Sequence, residues 1–190
     1  MKKIKIMALA VLFLTACERE MNEINPATSR QTDLVSSNNK KAKVTRPFSA
    51  TLNAVADANA PLTACSGVVP FAAPDFLLGG TATHLGLLNA TSRLHHVSCD
   101  VDVTTMLLTT NVTVDLIAAN GDIIYATGDD VVNIANLLTQ TGTTGSITGT
   151  WTITGGTGRF TGATGSLTIN GTVDFVTNSF SCVCTGTITY

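Results

Sequence analysis

Three histidines are the side chains best suited to acid–base or metal-binding chemistry in this chain of 190 residues. His84 stands alone, whereas His95 and His96 are adjacent, and neighbours on a strand point to opposite faces. The adjacent pair therefore cannot easily bind one metal ion. By alternation His95 shares an apolar face with Val97, which predicts a core histidine there. A metal ligand or a general base is the alternative that the residue type leaves open.

Carboxylates form two further pairs, Asp100 with Asp102 and Asp129 with Asp130. The first pair lies on the polar face of a predicted strand and could contact Ca²⁺, but two ligands are too few for a calcium site. Both pairs are predicted to be solvated. No serine–histidine–aspartate order and no pair of catalytic acids stands out, so we predict no catalytic residue, no metal and no cofactor.

The start of the chain has the pattern of an export signal. A basic stretch, Met1–Lys5, precedes an uncharged apolar run, Ile6–Leu14, of about nine residues. A membrane-spanning helix needs roughly 20. Small residues then precede Cys17, and Leu14-Thr15-Ala16-Cys17 resembles the lipobox of bacterial lipoproteins. A plain signal peptide with a chance cysteine is the alternative.

The lipobox resemblance implies a covalent membrane anchor. In lipoproteins the cysteine thiol receives a diacylglyceryl group, a peptidase cuts before the cysteine, and the new amino terminus is usually acylated, for example with palmitate. Two or more chains hold a protein stably at a membrane. Glu18 follows Cys17 where aspartate could stand. By resemblance to sorting in enteric bacteria, this implies a bacterial envelope protein at the outer rather than the inner membrane.

Composition divides the chain into a signal peptide (1–16), a lipidated N-terminus with a flexible tether (17–45) and one folded domain (46–190). The tether is polar and cannot bury enough apolar surface to fold. Residues 47–190 hold two arginines, nine aspartates, no lysine and no glutamate, for a net charge of −7. Nucleic-acid binding depends on clustered lysine and arginine, so the domain is not predicted to bind nucleic acid.

Period-two alternation and abundant threonine and β-branched residues predict an all-β domain. One predicted strand carries on a single face Val97, Cys99, Val101 and Val103. Further strands are predicted at 106–116, 123–126, 146–154, 166–176 and 180–190. About eight antiparallel strands with short turns favour a single eight-stranded β-barrel, since closure removes exposed edges. A two-sheet sandwich is the competing architecture.

The most distinctive segment is glycine-rich. Its corner motif comprises Gly155, Gly156, Gly158, Arg159, Phe160, Gly162 and Gly165. A phosphate loop is excluded, because strands rather than a helix follow the glycines and the lysine is missing. Glycine instead permits positive φ at a sharp corner between strands, with Arg159 packed across it and Phe160 pointing inward.

The corner motif resembles the signature of the allene oxide cyclase and dirigent barrels. Two further segments, 80–86 and 185–190, are similar to parts of bacterial members, so the resemblance spans about 46–190. It implies an eight-stranded antiparallel β-barrel of the calycin type with an apolar interior. The polar residues that these enzymes use inside their barrels have no counterparts here that match by position.

Four cysteines remain when Cys17 is set aside, and an exported protein lives where disulfides persist. Four cysteines allow three pairings. Cys182 and Cys184 are two apart on one strand, so a bond between them would strain it. We therefore predict at least one disulfide, with Cys65 and Cys99 as the partners of that pair. Free buried thiols and a Cys-x-Cys metal site are the alternatives.

Three functions remain open for the domain. The first is a binding module whose barrel holds a small apolar ligand. The second is an isomerase or cyclase of the allene oxide cyclase type. The third is a structural or surface-interaction protein. A cavity in the barrel favours the first, whereas an interior filled by Trp151 and other large side chains counts against it.

Overall fold

The computed structural model describes residues 42–67 and 70–190. Within these ranges, eight long strands, four two-residue strands and two single helical turns follow one another. In order they are β1 (Thr45–Ala56), β2 (Thr63–Ala64), β3 (Ser66–Gly67), β4 (Ala72–Ala73), β5 (Phe76–Ala82), β6 (Gly86–Leu87), β7 (Arg93–Asp102), β8 (Leu107–Ile117), β9 (Ile123–Asn133), α1 (Ala135–Leu138), β10 (Thr144–Gly156), a 3₁₀ turn (Gly158–Phe160), β11 (Thr164–Asp174) and β12 (Ser179–Thr189).

The eight long strands form a closed antiparallel ring in the order β7-β8-β9-β10-β11-β12-β1-β5. The ring closes where β5 meets β7 through only two residue pairs, Phe76 with Leu94 and Leu77 with Arg93. Every other junction between neighbours pairs along most of a strand. The predicted all-β, eight-stranded barrel is thus confirmed. Among the described residues the second sheet is only the two-residue ladder β2–β4, which is too small to form the other half of a sandwich.

Alternation along each strand decides which side chains form the core. On β12, Phe180, Cys182 and Cys184 point inward and are buried, while Val183 between them is exposed on the outer face. Each large apolar side chain that is fully buried in this way contributes roughly 1.5–3 kcal/mol of transfer free energy. The barrel interior therefore supplies the stability of a domain whose outer face is rich in threonine.

A bulge in β7 changes the predicted face of the histidines. The pairing register with β8 shifts between His96 and Ser98, so Val97 is an extra residue in the strand. His95 consequently faces outward and His96 is buried, the reverse of the prediction, and Val97 is 53% exposed. Cys99 returns to the interior beyond the bulge. One inserted residue reverses the direction of every later side chain relative to the earlier ones. A prediction that assumes strict alternation around Val97 therefore assigns His95 and His96 to the wrong faces.

The corner motif closes one end of the barrel. Phe160 is completely buried, and its ring meets Tyr190 edge to face at 5.0 Å. Arg159 lies over the Phe160 ring, pairs with Asp122 at 3.5 Å and donates a hydrogen bond to the His84 carbonyl. The two glycine-bearing segments that carry the family resemblance therefore meet at this closed end.

Glycine is required at two corner positions. Gly158 has φ +55°, and a Cβ there would lie 1.8 Å from Asp122 Oδ1. A Cβ on Gly156 would lie 2.3 Å from the Ile123 carbonyl oxygen and 2.7 Å from Phe160 Cβ. At Gly156 the backbone and Phe160 occupy the space, whereas at Gly158 the Asp122 carboxylate and the positive φ together disfavour any larger residue.

A cover segment, residues 57–67 and 70–75, crosses the other end of the barrel beside the short β5–β7 junction. Its two ends meet where the Asp57 N–H donates to the Asp75 carbonyl at 2.8 Å. Strand β3 pairs with β7 in parallel, and Cys65 forms a disulfide with Cys99. The bond therefore fastens the cover to the barrel wall where the strand ladder is weakest.

The disulfide corrects the predicted pairing. Cys182 and Cys184 are buried free thiols, with their sulfurs 3.9 Å apart. They lie on β12, three strands away from β7 by the shorter route around the ring, so Cys99 is not on a neighbouring strand. A bond between the two thiols of β12 is disfavoured because side chains at i and i+2 of a strand point in parallel, which leaves their Cβ atoms about 6.6 Å apart where a disulfide needs about 3.5–4.5 Å.

Residues 1–41 lie outside the described part of the chain, so the signal peptide, Cys17 and most of the tether stay predictions. Strand β1 begins at Thr45. In the described ranges, no helix has both the length and the apolar character needed to cross a bilayer.

Candidate ligand-binding cavity

The covered end of the barrel contains a cavity of about 210 Å³. Its wall is mostly apolar, with side chains from seven of the eight barrel strands, the cover segment and α1. It is lined by Cys65, Phe71, Ala72, Ala73, Pro74, Phe76, Leu94, His96, Leu108, Thr110, Asp130, Val132, Ile134, Leu137, Ile147, Val173, Asp174, Phe175, Asn178 and Phe180. Asn178 is exposed and Asp174 is partly exposed, so the cavity reaches solvent beside the β11–β12 turn.

Trp151 and Asp130 form a polar contact inside the barrel. Trp151 is completely buried, and its Nε1–H donates to Asp130 Oδ1 at 3.0 Å. Two glycines make room for this pair on neighbouring strands. A Cβ on Gly128 would lie 2.8 Å from Trp151 Cδ1, and one on Gly149 would lie 2.2 Å from Asp130 Oδ1.

Burial controls the ionisation of Asp130, which is 1% exposed. Desolvation raises the pKa of its carboxyl group to about 6, an effect that the Trp151 hydrogen bond reduces and the neighbouring charge of Asp129 reinforces. A buried carboxyl group that titrates near neutrality is typical of sites that bind or move protons. The interior carboxylate can therefore change its charge with pH or with a bound ligand.

His96 contributes a second buried polar group to the cavity. Burial lowers the pKa of its imidazole, an effect that the Pro74 carbonyl partly offsets. Its Nδ1 atom is buried and has no hydrogen-bond partner among the described residues. A neutral imidazole has one donor and one acceptor nitrogen, so this ring can accept or donate one hydrogen bond within the cavity.

Asp75 holds His96 and its strand in place. Its Oδ1 atom accepts the backbone N–H of His96 at 3.0 Å, and its Oδ2 atom accepts from His95 Nδ1 at 2.6 Å. Thr63 Oγ1 donates to the His96 carbonyl at 2.9 Å. These contacts take the place of β5–β7 pairing, which goes no further along β7 than the pair Phe76 and Leu94. They fix the bulge, and with it the inward direction of His96.

The predicted site residues separate into two groups in the structure. The corner motif lies at the closed end, away from the cavity, where its side chains pack and close the barrel. Of the cysteines, Cys65 lines the cavity as part of the disulfide. The hydrogen bond with Cys182 and burial raise the pKa of Cys184, which stays a thiol. No cluster of three or more metal-binding side chains occurs within residues 42–67 and 70–190.

Sequence reasoning missed Asp130, which was predicted to be solvated together with Asp129. Asp129 is exposed and accepts a hydrogen bond from Asn111, whereas Asp130 points inward. The signal was present in the alternation of β9. The inward positions of that strand are Ile124, Ala126, Gly128, Asp130 and Val132. Continuing the apolar face past Gly128 would have placed Asp130 in the interior.

Solved structures similar to this chain include a dirigent protein. A solved structure described as a pterocarpan synthase dirigent protein is similar to this chain with a TM-score of 0.44 and 17% sequence identity, over 86% of this chain and 99% of that one. No family model and no curated protein sequence matches. The likeness concerns the fold alone.

Proposed function

We propose that the domain binds one small, mainly apolar molecule in the covered cavity. The observation that carries this proposal is an interior that is not filled by its own side chains. An apolar cavity of about 150 Å³ is sufficient for benzene, whereas pockets for drug-sized ligands measure about 300–1,000 Å³. A volume of about 210 Å³ suits a molecule with a single ring or a short branched chain.

The polar groups of the cavity favour a ligand-binding site over a mere defect in core packing. Asp130, His96 and Thr110 are all buried and line the same space. Burying polar groups in a core is costly unless they are paired. A ligand that pairs with them offsets this cost, and such a small number of convergent polar groups on an apolar wall is characteristic of ligand sites.

Native mass spectrometry of the protein purified from its own envelope tests the proposal directly. The expected result is a retained small molecule. Toluene, added to the emptied protein, should shift NMR signals from cavity residues. Val132→Phe should fill the space and abolish both effects, and Ala73→Leu in the cover should do the same. Val183→Phe on the outer face is the matched control. A protein that carries no adduct and shows no toluene-induced shifts would refute the proposal.

An isomerase or cyclase is the second candidate, and the carboxyl group of Asp130 favours it. A group whose pKa is about 6 can give and take protons near neutrality. Once the retained molecule is identified, it should exchange hydrogen for deuterium in D₂O faster with the protein than without it. Asp130→Asn should remove the difference, while Asp129→Asn should keep it. Exchange that is unaffected by Asp130→Asn excludes this chemistry.

The same proposal places the domain at a bacterial membrane through lipid on Cys17, with the outer membrane preferred because of Glu18. It is supported by the basic start, the short apolar run and the lipobox pattern. Radiolabelled palmitate should enter the wild type and Cys182→Ser equally but not Cys17→Ser, which should also leave the membrane fraction. Palmitate incorporation into Cys17→Ser would overturn the anchor.

A further inference from the structure

The charged groups at the cavity are all acidic. Asp130 lies inside and Asp174 lies at the rim, where the N–H groups of Thr177 and Val176 lower its pKa and keep it ionised. Cationic side chains are few in residues 42–67 and 70–190, and all are exposed or half-exposed on the outside. They are Lys43, Arg46, Arg93 and Arg159. None of these four lines the cavity.

Asp130 therefore has no cationic partner in the interior. Its carboxyl group accepts one hydrogen bond, from Trp151, although a carboxylate offers about four acceptor positions. A buried carboxylate without a counter-charge is strongly disfavoured, and a paired one is much less so. A Cβ on Gly149 would lie 2.2 Å from Asp130 Oδ1, so glycine at that position is what leaves room for the carboxylate.

His96 is suited to assist a cation rather than to replace it. Burial keeps its imidazole neutral by lowering its pKa, so the ring neither pairs with the carboxylate as a cation nor repels a positive ligand. The Pro74 carbonyl interacts with the imidazole and Nδ1 has no partner, so Nδ1 is an acceptor in the tautomer that carries its proton on Nε2. An ammonium group has three donors, and Asp130, His96 and Thr110 offer acceptors in one cavity.

We infer that the cavity selects small organic cations, namely primary amines with one aromatic ring or a short branched alkyl group, and that their ammonium group pairs with Asp130. The apolar part of such a molecule would lie against Phe71, Val132 and the neighbouring aliphatic wall. This inference rests on the proposed function and specifies its ligand class. The net charge of −7 over residues 47–190 also attracts cations to the domain from solution.

Benzylamine and benzyl alcohol are matched probes for this inference, since they have similar shapes and differ in charge. At pH 8, calorimetry should show benzylamine binding about tenfold more tightly than benzyl alcohol. Asp130→Asn keeps the shape of the side chain and its Trp151 contact, and it should abolish the preference while leaving affinity for the alcohol within about twofold. Asp129→Asn, on the outer face of the same strand, should retain the preference.

The pH dependence gives an independent readout. Preference for benzylamine should decline below about pH 6 in the wild type, because protonation removes the charge of Asp130. The other titratable groups near it are Asp129 on the outer face, Cys184, His96 and Asp174. In Asp130→Asn the ratio of the two affinities should not change over this range.

The outcomes separate this inference from the function on which it rests. If benzyl alcohol binds as tightly as benzylamine, or if the preference survives Asp130→Asn, selection of cations is refuted while binding in the cavity stands. If neither probe binds at millimolar concentration and native mass spectrometry finds no adduct, both fail.

Discussion

The two ends of this barrel are made from the same eight strands, yet one is packed and the other is hollow. At the closed end, the inward positions hold large apolar residues, and the corner motif inserts Phe160 among them. At the covered end, three inward positions are polar, namely His96, Thr110 and Asp130. Packing a polar side chain among aliphatic ones costs free energy, because the polar group loses its hydrogen bonds to water. The covered end contains the cavity, and the cover segment lies across it.

This contrast separates the residues that close the barrel from the residues that line the cavity. The segments that resemble dirigent and allene oxide cyclase barrels lie at the packed end, where they close the ring. The cavity is lined by the cover, by β7, β8 and β9, and by the opposite ends of β5, β10, β11 and β12. The resemblance therefore concerns architecture, and the chemistry of the cavity has to be inferred from its own residues.

The largest loss of stability is expected when Phe160, the aromatic residue of the corner motif, is removed. Phe160→Ala should lower the free energy of unfolding by about 3–5 kcal/mol, because it empties a completely buried site. Phe175→Ala at the covered end should cost less than half as much, since Phe175 is only partly buried beside the cavity. Urea unfolding of both variants measures the difference. Equal losses would contradict the contrast between a packed and a hollow end.

Removing the disulfide should weaken the covered end. Cys65→Ser combined with Cys99→Ser opens a loop whose ends are 34 residues apart, which should cost about 3–4 kcal/mol. Hydrogen exchange should then accelerate in the cover and in β7 more than in the 3₁₀ turn. Reductant should destabilise the wild type but not the double variant. Uniform acceleration over the whole barrel would show that the two ends are not independent.

Asp130 should make stability depend on pH at the covered end. Its pKa is about 6 in the folded protein and about 3.9 in the unfolded chain, so the folded state binds the extra proton. The cost of burying the charge is absent below about pH 4 and complete above about pH 6. Asp130→Asn should therefore stabilise the protein by up to about 3 kcal/mol at pH 8 and by little at pH 4.

Thermal unfolding of Asp130→Asn and Asp129→Asn across this pH range provides the measurement. Asp129→Asn is the matched control, because Asp129 is exposed on the same strand. Parallel pH curves for wild type and Asp130→Asn would show that the carboxylate is solvated, and would remove the physical basis for cation selection.

The smallest change in the free energy of unfolding is expected for a substitution at His96. His96→Leu removes a buried nitrogen without a partner and replaces it with an apolar group of similar size, so the stability should rise by about 1 kcal/mol or less. Benzylamine affinity should fall at the same time, since an acceptor is lost. A loss of stability instead of a gain would show that the contact of the imidazole with the Pro74 carbonyl outweighs the cost of the unpaired Nδ1 atom.

Much of the fold could be predicted because alternation is a local property. The strands around Trp151, Leu167 and Cys182 have the faces that their sequences indicate, and closure follows from their number. The bulge at Val97 could not be predicted, because an extra residue is visible only against the pairing partner. The turn at Asn120-Gly121 is a second example. An Asn-Gly pair is typical of a type I′ hairpin turn, which needs positive φ at both residues, but only Gly121 has positive φ, at +87°.

The amino-acid sequence by itself determined the strand composition, the acidic charge of the domain and the candidate anchor at Cys17, since each depends on residue types and near neighbours. Only the tertiary structure decided which cysteines bond, which histidine is buried and that Asp130 lies in a cavity. These outcomes depend on which strands become neighbours when the ring closes. A pairing between Cys65 and Cys99 brings together residues that local patterns leave unconnected, and a hollow end exists only once eight strands surround it.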